Sequence, residues 1–245
     1  MVRPVVAEDT RSGSAHEHDH RNVQGGTARA AVFGVSDGLV SNVAIVLGFA
    51  GANTGPGLVR LAGLAGLIGG AVSMAAGEYV SMKAQSELLE RELEMERVEL
   101  HRRPEAERRE LAAIYRSRGV DEATADQLAT ALSRDPDLAL QTHAREELGI
   151  DPDSLGRPLS AALSSFLTFS IGASIPLVPY FFASGTSALV AAVVMGAIAA
   201  CTVGALLARF TGRSTVRSAA RQLLFSAVPA AATYALGSAV GVSGI

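Results

Sequence analysis

The 245-residue chain has no tryptophan, one cysteine (Cys201) and one lysine (Lys83), and only 18% of its residues are charged. Each scarcity excludes a class of protein. A lone cysteine in an apolar stretch builds neither a disulfide framework nor a thiolate metal site within the chain. A formal charge of -3, with twenty arginines set against twenty-four acids, gives no basic face of the kind that displaces counterions from nucleic acid. No nucleophile with an adjacent base, no phosphate loop and no cofactor motif stands out, so a conventional enzyme is the least expected class. The first 27 residues hold no apolar run, so no cleaved signal peptide is expected. That segment carries His16, His18 and His20 between acids; spaced histidines in a flexible tail bind metal weakly at best, and no site role is given to them.

What the chain has in quantity is apolar and small: 49% hydrophobic residues and 25 glycines, too apolar for disorder. Its charge is strongly partitioned. Nineteen of the twenty-four acids fall between Glu78 and Asp153, whereas residues 158 to 208 hold no Asp, Glu, Lys or Arg. Crossing a hydrocarbon core takes about 20 apolar helical residues at about 1.5 Å each. Five stretches reach that length: about Ala28 to Gly51, about Leu58 to Val80, two within the uncharged block divided at Ala183 to Ser187, and about Leu223 to Val240. The expected fold is an all-α membrane protein of five transmembrane helices, with a helical insert between spans two and three. The expected division is a disordered N-terminus over 1–27, spans one and two over 28–82, the insert over 83–157, and spans three to five over 158–245.

Arginine-rich connections remain cytoplasmic. Arg21 and Arg29 precede span one, the 83–157 region is rich in arginine, and Arg209, Arg213, Arg217 and Arg221 lie between spans four and five. The loops at 52–57 and 183–187 carry no charge. The amino end and insert are therefore expected inside, the carboxyl end outside. Within the insert, Ser86 through Leu100 has no breaker and extends span two. Pro104 starts a helix that stops near Gly119, Asp121 opens a third, and Pro136 interrupts before a last segment closing at Gly149.

Asp37 lies roughly 14 Å along the first span, where an ionised carboxylate costs about 2.5 to 3.5 kcal/mol. A pairing with Arg29 or Arg60 would account for it structurally; a role as cation ligand or proton carrier accounts for it functionally, and intramembrane acids are functional by default. Ser36, Ser41 and Asn42 nearby offer oxygens. On span two, Met74 and Glu78 are four apart on one helix face, placing a thioether one turn from a second carboxylate. In the insert, Glu96 and Glu99 are three apart, as are Glu107 and Glu110. If the chain folds back near Pro104 the two pairs meet, and four like charges call for a cation. Glu147, with His143 one turn earlier, adds a third side. Spacing alone slightly favours an ordinary solvated helix, with pairs such as Glu99 to Arg103.

At Phe33 to Asn42 (FGVSDGLVSN), Ser73 to Ser81 (SMAAGEYVS) and the EELG run ending at Gly149, the chain resembles the vacuolar iron transporter family. The resemblance covers nearly everything after residue 25. It implies a homodimer in the lipid bilayer that exports ferrous iron, and often manganese, from the cytosol in exchange for protons, along a path between first spans. No tightly bound cofactor is implied, and zinc is a further occupant of the cytoplasmic site. Residue by residue, Asp37 and Met74 match the family's intramembrane ligands, and Glu96, Glu99, Glu107, Glu110 and Glu147 match its cytoplasmic acidic ligands. Where eukaryotic members carry paired methionines, this chain has His143 and Ala144. An imidazole in place of a thioether shifts preference toward borderline metals. A bacterial-type member in an inner or plasma membrane is expected. The alternatives are a manganese or calcium exchanger on the same scaffold and a membrane-anchored metal sensor that binds without flux.

Overall fold

The computed structural model describes residues 26–149, 151–152 and 156–241, with the side chains of 26–28 excepted. The three N-terminal histidines lie outside the described residues. The described chain is helical in the order α1 (Gly26–Gly51), α2 (Pro56–Arg102), α3 (Pro104–Ser117), α4 (Glu122–Leu132), α5 (Pro136–Glu146), α6 (Pro158–Ser174), α7 (Pro179–Phe182), α8 (Gly185–Thr211) and α9 (Thr215–Gly241).

Local chemistry sets most of these boundaries. Proline opens α2, α3, α5 and α6, where its missing N–H costs nothing. The Asp121 side chain caps α4 by accepting from the Thr124 N–H at 3.1 Å, and Asp135 caps α5 through the Asp137 N–H at 3.0 Å. Gly119 and Gly149 adopt positive φ at 94° and 64°, which ends the preceding turns. No such signal interrupts 57–101, so α2 runs unbroken for 47 residues, about 70 Å, from the apolar layer deep into the charged insert.

Among the described residues, four helices are long and apolar enough to cross a membrane: 29–51 of α1, α2, α8 and α9. The third expected span differs. It is a 17-residue helix, α6, then a turn over 175–178, then the four-residue α7. Pro176 and Pro179 bring no N–H to the ladder, so helical bonding fails there. The Asn42 amide on α1 donates to the Ala173 carbonyl at 2.6 Å, satisfying one of the carbonyls left at the end of α6. The fifth stretch also differs: α9 begins at Thr215 rather than near Leu223, because nothing after Gly212 breaks it.

α1 occupies the middle, packed by α2, α6, α8 and α9. Its glycines allow the backbones to close. A Cβ at Gly38 would strike the Phe169 backbone of α6, and Gly172 of α6 lies equally close to the Val35 backbone. At the other end, Gly237 of α9 rests on Gly48. The core is Leu39, Val43, Val46, Leu47, Val59 and Leu177, interleaved with alanines of α8. The outward faces of α2, α6, α8 and α9 expose large apolar side chains, among them Leu61, Leu163, Ile198 and Leu236, a continuous apolar surface unsuited to water. The insert has its own small core of Leu111, Ala112 and Ala129, with Tyr115 and Leu132 against it.

Candidate metal centre

Three elements of the insert converge on one point. The far end of α2 supplies Glu96, the first turns of α3 supply Glu107, and the last turn of α5 supplies His143, with Glu147 as its C-cap. One ligating atom from each of the four lies within 4.8 Å of all the others. Glu96, Glu107 and His143 are buried, at 6%, 5% and 0% exposure, and Glu147 forms the open side. The His143 Nδ1 stands 3.1 Å from Glu96 Oε1 and 3.3 Å from Glu147 Oε2. Only the contact to Glu147 has hydrogen-bond geometry, so Glu96 Oε1 and His143 Nε2 are both buried without a hydrogen-bond partner.

Such an arrangement is costly without a cation. Two carboxylates within 4.8 Å repel by roughly 3 kcal/mol or more at an effective dielectric near 20, and one imidazole offsets at most one of three negative charges. The strain shows in the proton affinities. Burial, then the charges of Glu96 and Glu110, push the Glu107 carboxyl above the usual glutamate range, with His143 opposing. Burial also raises Glu147, against its hydrogen bond with His143. For His143, burial favours the neutral ring, but the Glu96 and Glu147 carboxylates beside it outweigh burial and raise its proton affinity. A divalent cation joining these oxygens and the imidazole nitrogen removes the repulsion. Carboxylate with imidazole suits borderline and intermediate divalent metals such as Zn(II), Fe(II) and Mn(II).

The insert therefore brings together Glu96, Glu107, His143 and Glu147, but leaves Glu99 and Glu110 exposed and outside this group. Glu99 and Glu110 act on Glu107 only through their charge.

The apolar half is arranged differently. Asp37 is exposed on α1, on the stripe it shares with Arg29 and Phe33 and to one side of the glycines that face α6. No cation pairs with it among the described residues. Arg29 lies two turns, about 12 Å, away along the same helix, and its guanidinium donates to Glu78 at 3.0 Å instead. Arg60 stacks over the Phe181 ring at 6.0 Å. The pairing of Asp37 with arginine, left open by the sequence, does not form, and Glu78 has an arginine where a free ligand was expected. Met74 is half-buried beside Ala71, Phe169 and Ala173. Near it, the Ser41 hydroxyl donates to the Asp37 carbonyl at 2.6 Å and the Asn42 amide N–H donates to α6, while the Asn42 Oδ1 is buried without a hydrogen-bond partner. The Arg29–Glu78 pair was missed by sequence reasoning. Its signal was the antiparallel α1–α2 hairpin, which brings the start of one helix beside the middle of the other.

Membrane-length helices in series, joined to a charged insert with a carboxylate–imidazole cluster, define a multi-pass membrane protein with a candidate metal site. Residues 28–238 match the VIT family, and the chain belongs to it. It is similar to Vacuolar iron transporter 1 of Oryza sativa subsp. japonica, 32% identical over 239 residues covering 97% of this chain and 95% of the relative. It is also similar to the Vacuolar iron transporter of Acanthamoeba castellanii, 40% identical over 192 residues covering 74% and 70%. Vacuolar iron transporter 1 of Arabidopsis thaliana is 31% identical over 241 residues, 98% and 96% of the two chains. Members of this family are transporters, not enzymes. The bacterial-type reading and the bacterial membrane are not borne out: these relatives come from plants and an amoeba, and their names are vacuolar.

Proposed function

We propose that the protein carries ferrous iron out of the cytosol in exchange for protons, with manganese as a second cargo. The observation that carries this reading is the buried cluster of Glu96, Glu107, His143 and Glu147 at one end of α2, the same helix that bears Met74 in its apolar half. Metal is captured by the cluster, passes along α2 to Asp37 and Met74, and leaves on the far side as protons take the carboxylates. Carboxylates suit that exchange because they hold divalent ions without demanding one geometry, and the thioether disfavours calcium and magnesium.

Several parts of the reading come with it. α6 and α7 together form the third of five spans, so the amino end and insert share the cytosolic side and the carboxyl end lies across the membrane. Glu99 and Glu110 attract the ion toward the cluster without holding it. The exposed Asp37 stripe is covered by α1 of a second copy, since a carboxylate at that depth is not left facing lipid. Names of the relatives supply the metal, iron, which the carboxylate–imidazole chemistry accommodates.

The test is uptake of ferrous iron, beside manganese, by proteoliposomes under an imposed pH gradient. Uptake that follows the gradient, and acidification or alkalinisation in step with it, supports antiport. Metal binding to the purified protein with no flux in either gradient direction overturns it in favour of a membrane-anchored sensor.

A further inference from the structure

The turn that joins α8 to α9 bears four arginines, Arg209, Arg213, Arg217 and Arg221, all exposed. Residues 158–245 contain no aspartate or glutamate, so this half of the chain has nothing of its own with which to neutralise them. None forms an ion pair among the described residues. In the insert, by contrast, several arginines are met by neighbouring acids, as in Arg97 with Glu94 and Arg118 with Glu146.

Two further features narrow what the arginines face. Phe210 and Val216 sit among them at 70% and 78% exposure. Large apolar side chains interleaved with arginines suit neither bulk water nor an acidic protein surface, but they match the boundary of a bilayer, with rings and branched chains in the acyl region and guanidinium groups among phosphates. The turn also lies on the membrane edge that carries the insert. α1 and α9 run antiparallel to α2 and α8, and the ends of α1 and α9 meet at Gly51 with Tyr234 and Ala52 with Gly241, which puts the start of α9 beside the start of α1, where Arg29 reaches Glu78. The opposite end of the α8–α9 hairpin, at Gly185 and Gly241, is uncharged.

We infer that the α8–α9 turn is a binding surface for anionic phospholipid headgroups in the leaflet on the insert side. Guanidinium groups take phosphate oxygens two at a time, which anchors lipid phosphate more firmly than an ammonium does. Bound there, acidic lipid holds the end of α8 against the start of α9 and pins both to the leaflet from which metal enters.

The experiment uses the full-length protein in nanodiscs of phosphatidylcholine alone or mixed with phosphatidylserine, comparing wild type with R213Q/R217Q. Lipid retained through detergent extraction is counted by native mass spectrometry, and thermal stability is followed in parallel. Wild type should retain phosphatidylserine in preference to phosphatidylcholine and gain stability from it. The double variant should lose that preference by about 25-fold, since each basic residue at an anionic surface is worth about fivefold. Single variants should lose about fivefold each, which keeps the test decisive if the double variant folds poorly. Inorganic phosphate added to the phosphatidylcholine discs separates a site for free anions from a lipid surface. Stabilisation by phosphate alone, or equal retention of phosphatidylserine by wild type and variants, overturns the inference. Neither result bears on metal flux.

Discussion

The two acidic regions of this protein solve one problem in opposite ways. In the insert, a single chain folds α2, α3 and α5 around three carboxylates and an imidazole, buries three of the four groups, and leaves a carboxylate oxygen and a ring nitrogen without hydrogen-bond partners. In the apolar half, Asp37 stands on an open face of α1, with no ion pair to a cation among the described residues. One chain completes the first site; the second is half a site. Under the proposed function this difference becomes a division of labour, in which the insert would bind metal as a monomeric unit and the intramembrane step would need two copies.

The strongest way to break that contrast is to remove the half-site. Asp37→Ala should reduce flux in proteoliposomes to the level of protein-free vesicles while metal binding to the insert, followed by calorimetry, is unchanged. A covalently joined dimer with one such replacement should be as inactive as the double one if the two aspartates act as a unit; half activity would show that each copy works alone.

Next in size is the cluster itself. If the cluster holds the metal as proposed, His143→Ala or Glu107→Ala removes one of its ligands, and metal affinity at the insert should fall by at least the roughly 10- to 100-fold that losing even a supporting hydrogen bond costs a metal site. Unchanged affinity would return these residues to the solvated-helix reading.

A smaller effect follows from pH. The folded state raises Glu107 and Glu147 above the ordinary value of 4.5 and His143 above 6.5. Groups raised by folding stabilise the metal-free protein at low pH, and that stabilisation is lost as pH rises through their folded-state values. Bound metal takes the place of the protons. The gain in thermal stability from added manganese should therefore be slight near pH 4.5, grow as pH climbs past 6.5, and level off above it. A gain independent of pH would contradict the assignment of the site.

The smallest change is expected at Glu99 and Glu110. Both are exposed, so Glu99→Gln or Glu110→Gln should weaken affinity only a few-fold, and less at high salt, because each acts through solvent-screened charge. A loss as large as that of Glu107→Ala would place them among the ligands and blur the distinction between inward and outward glutamates.

How far the sequence foretold this depends on the range of the signal. The insert's helices were legible because Pro104, Asp121, Pro136, Gly119 and Gly149 act within a turn of themselves. The convergence of Glu96, Glu107, His143 and Glu147 was legible as a possibility, since helical spacing set the candidates. Which member of each i,i+3 pair faces inward was not, because it depends on how α2 and α3 are rotated about the Arg103 turn. Pro176 and Pro179 were visible signs that the third apolar stretch would break, but length and hydropathy alone passed over them. The Arg29–Glu78 pair needed the register of two helices, which no local pattern contains.

The central claim is that metal is taken up at one site and carried through another, and the most direct measurement follows both in the same preparation. Purified Asp37→Ala protein is assayed for manganese or ferrous iron binding, then reconstituted and assayed for flux beside wild type. Full binding with no flux is the predicted outcome. Undiminished flux would contradict the account.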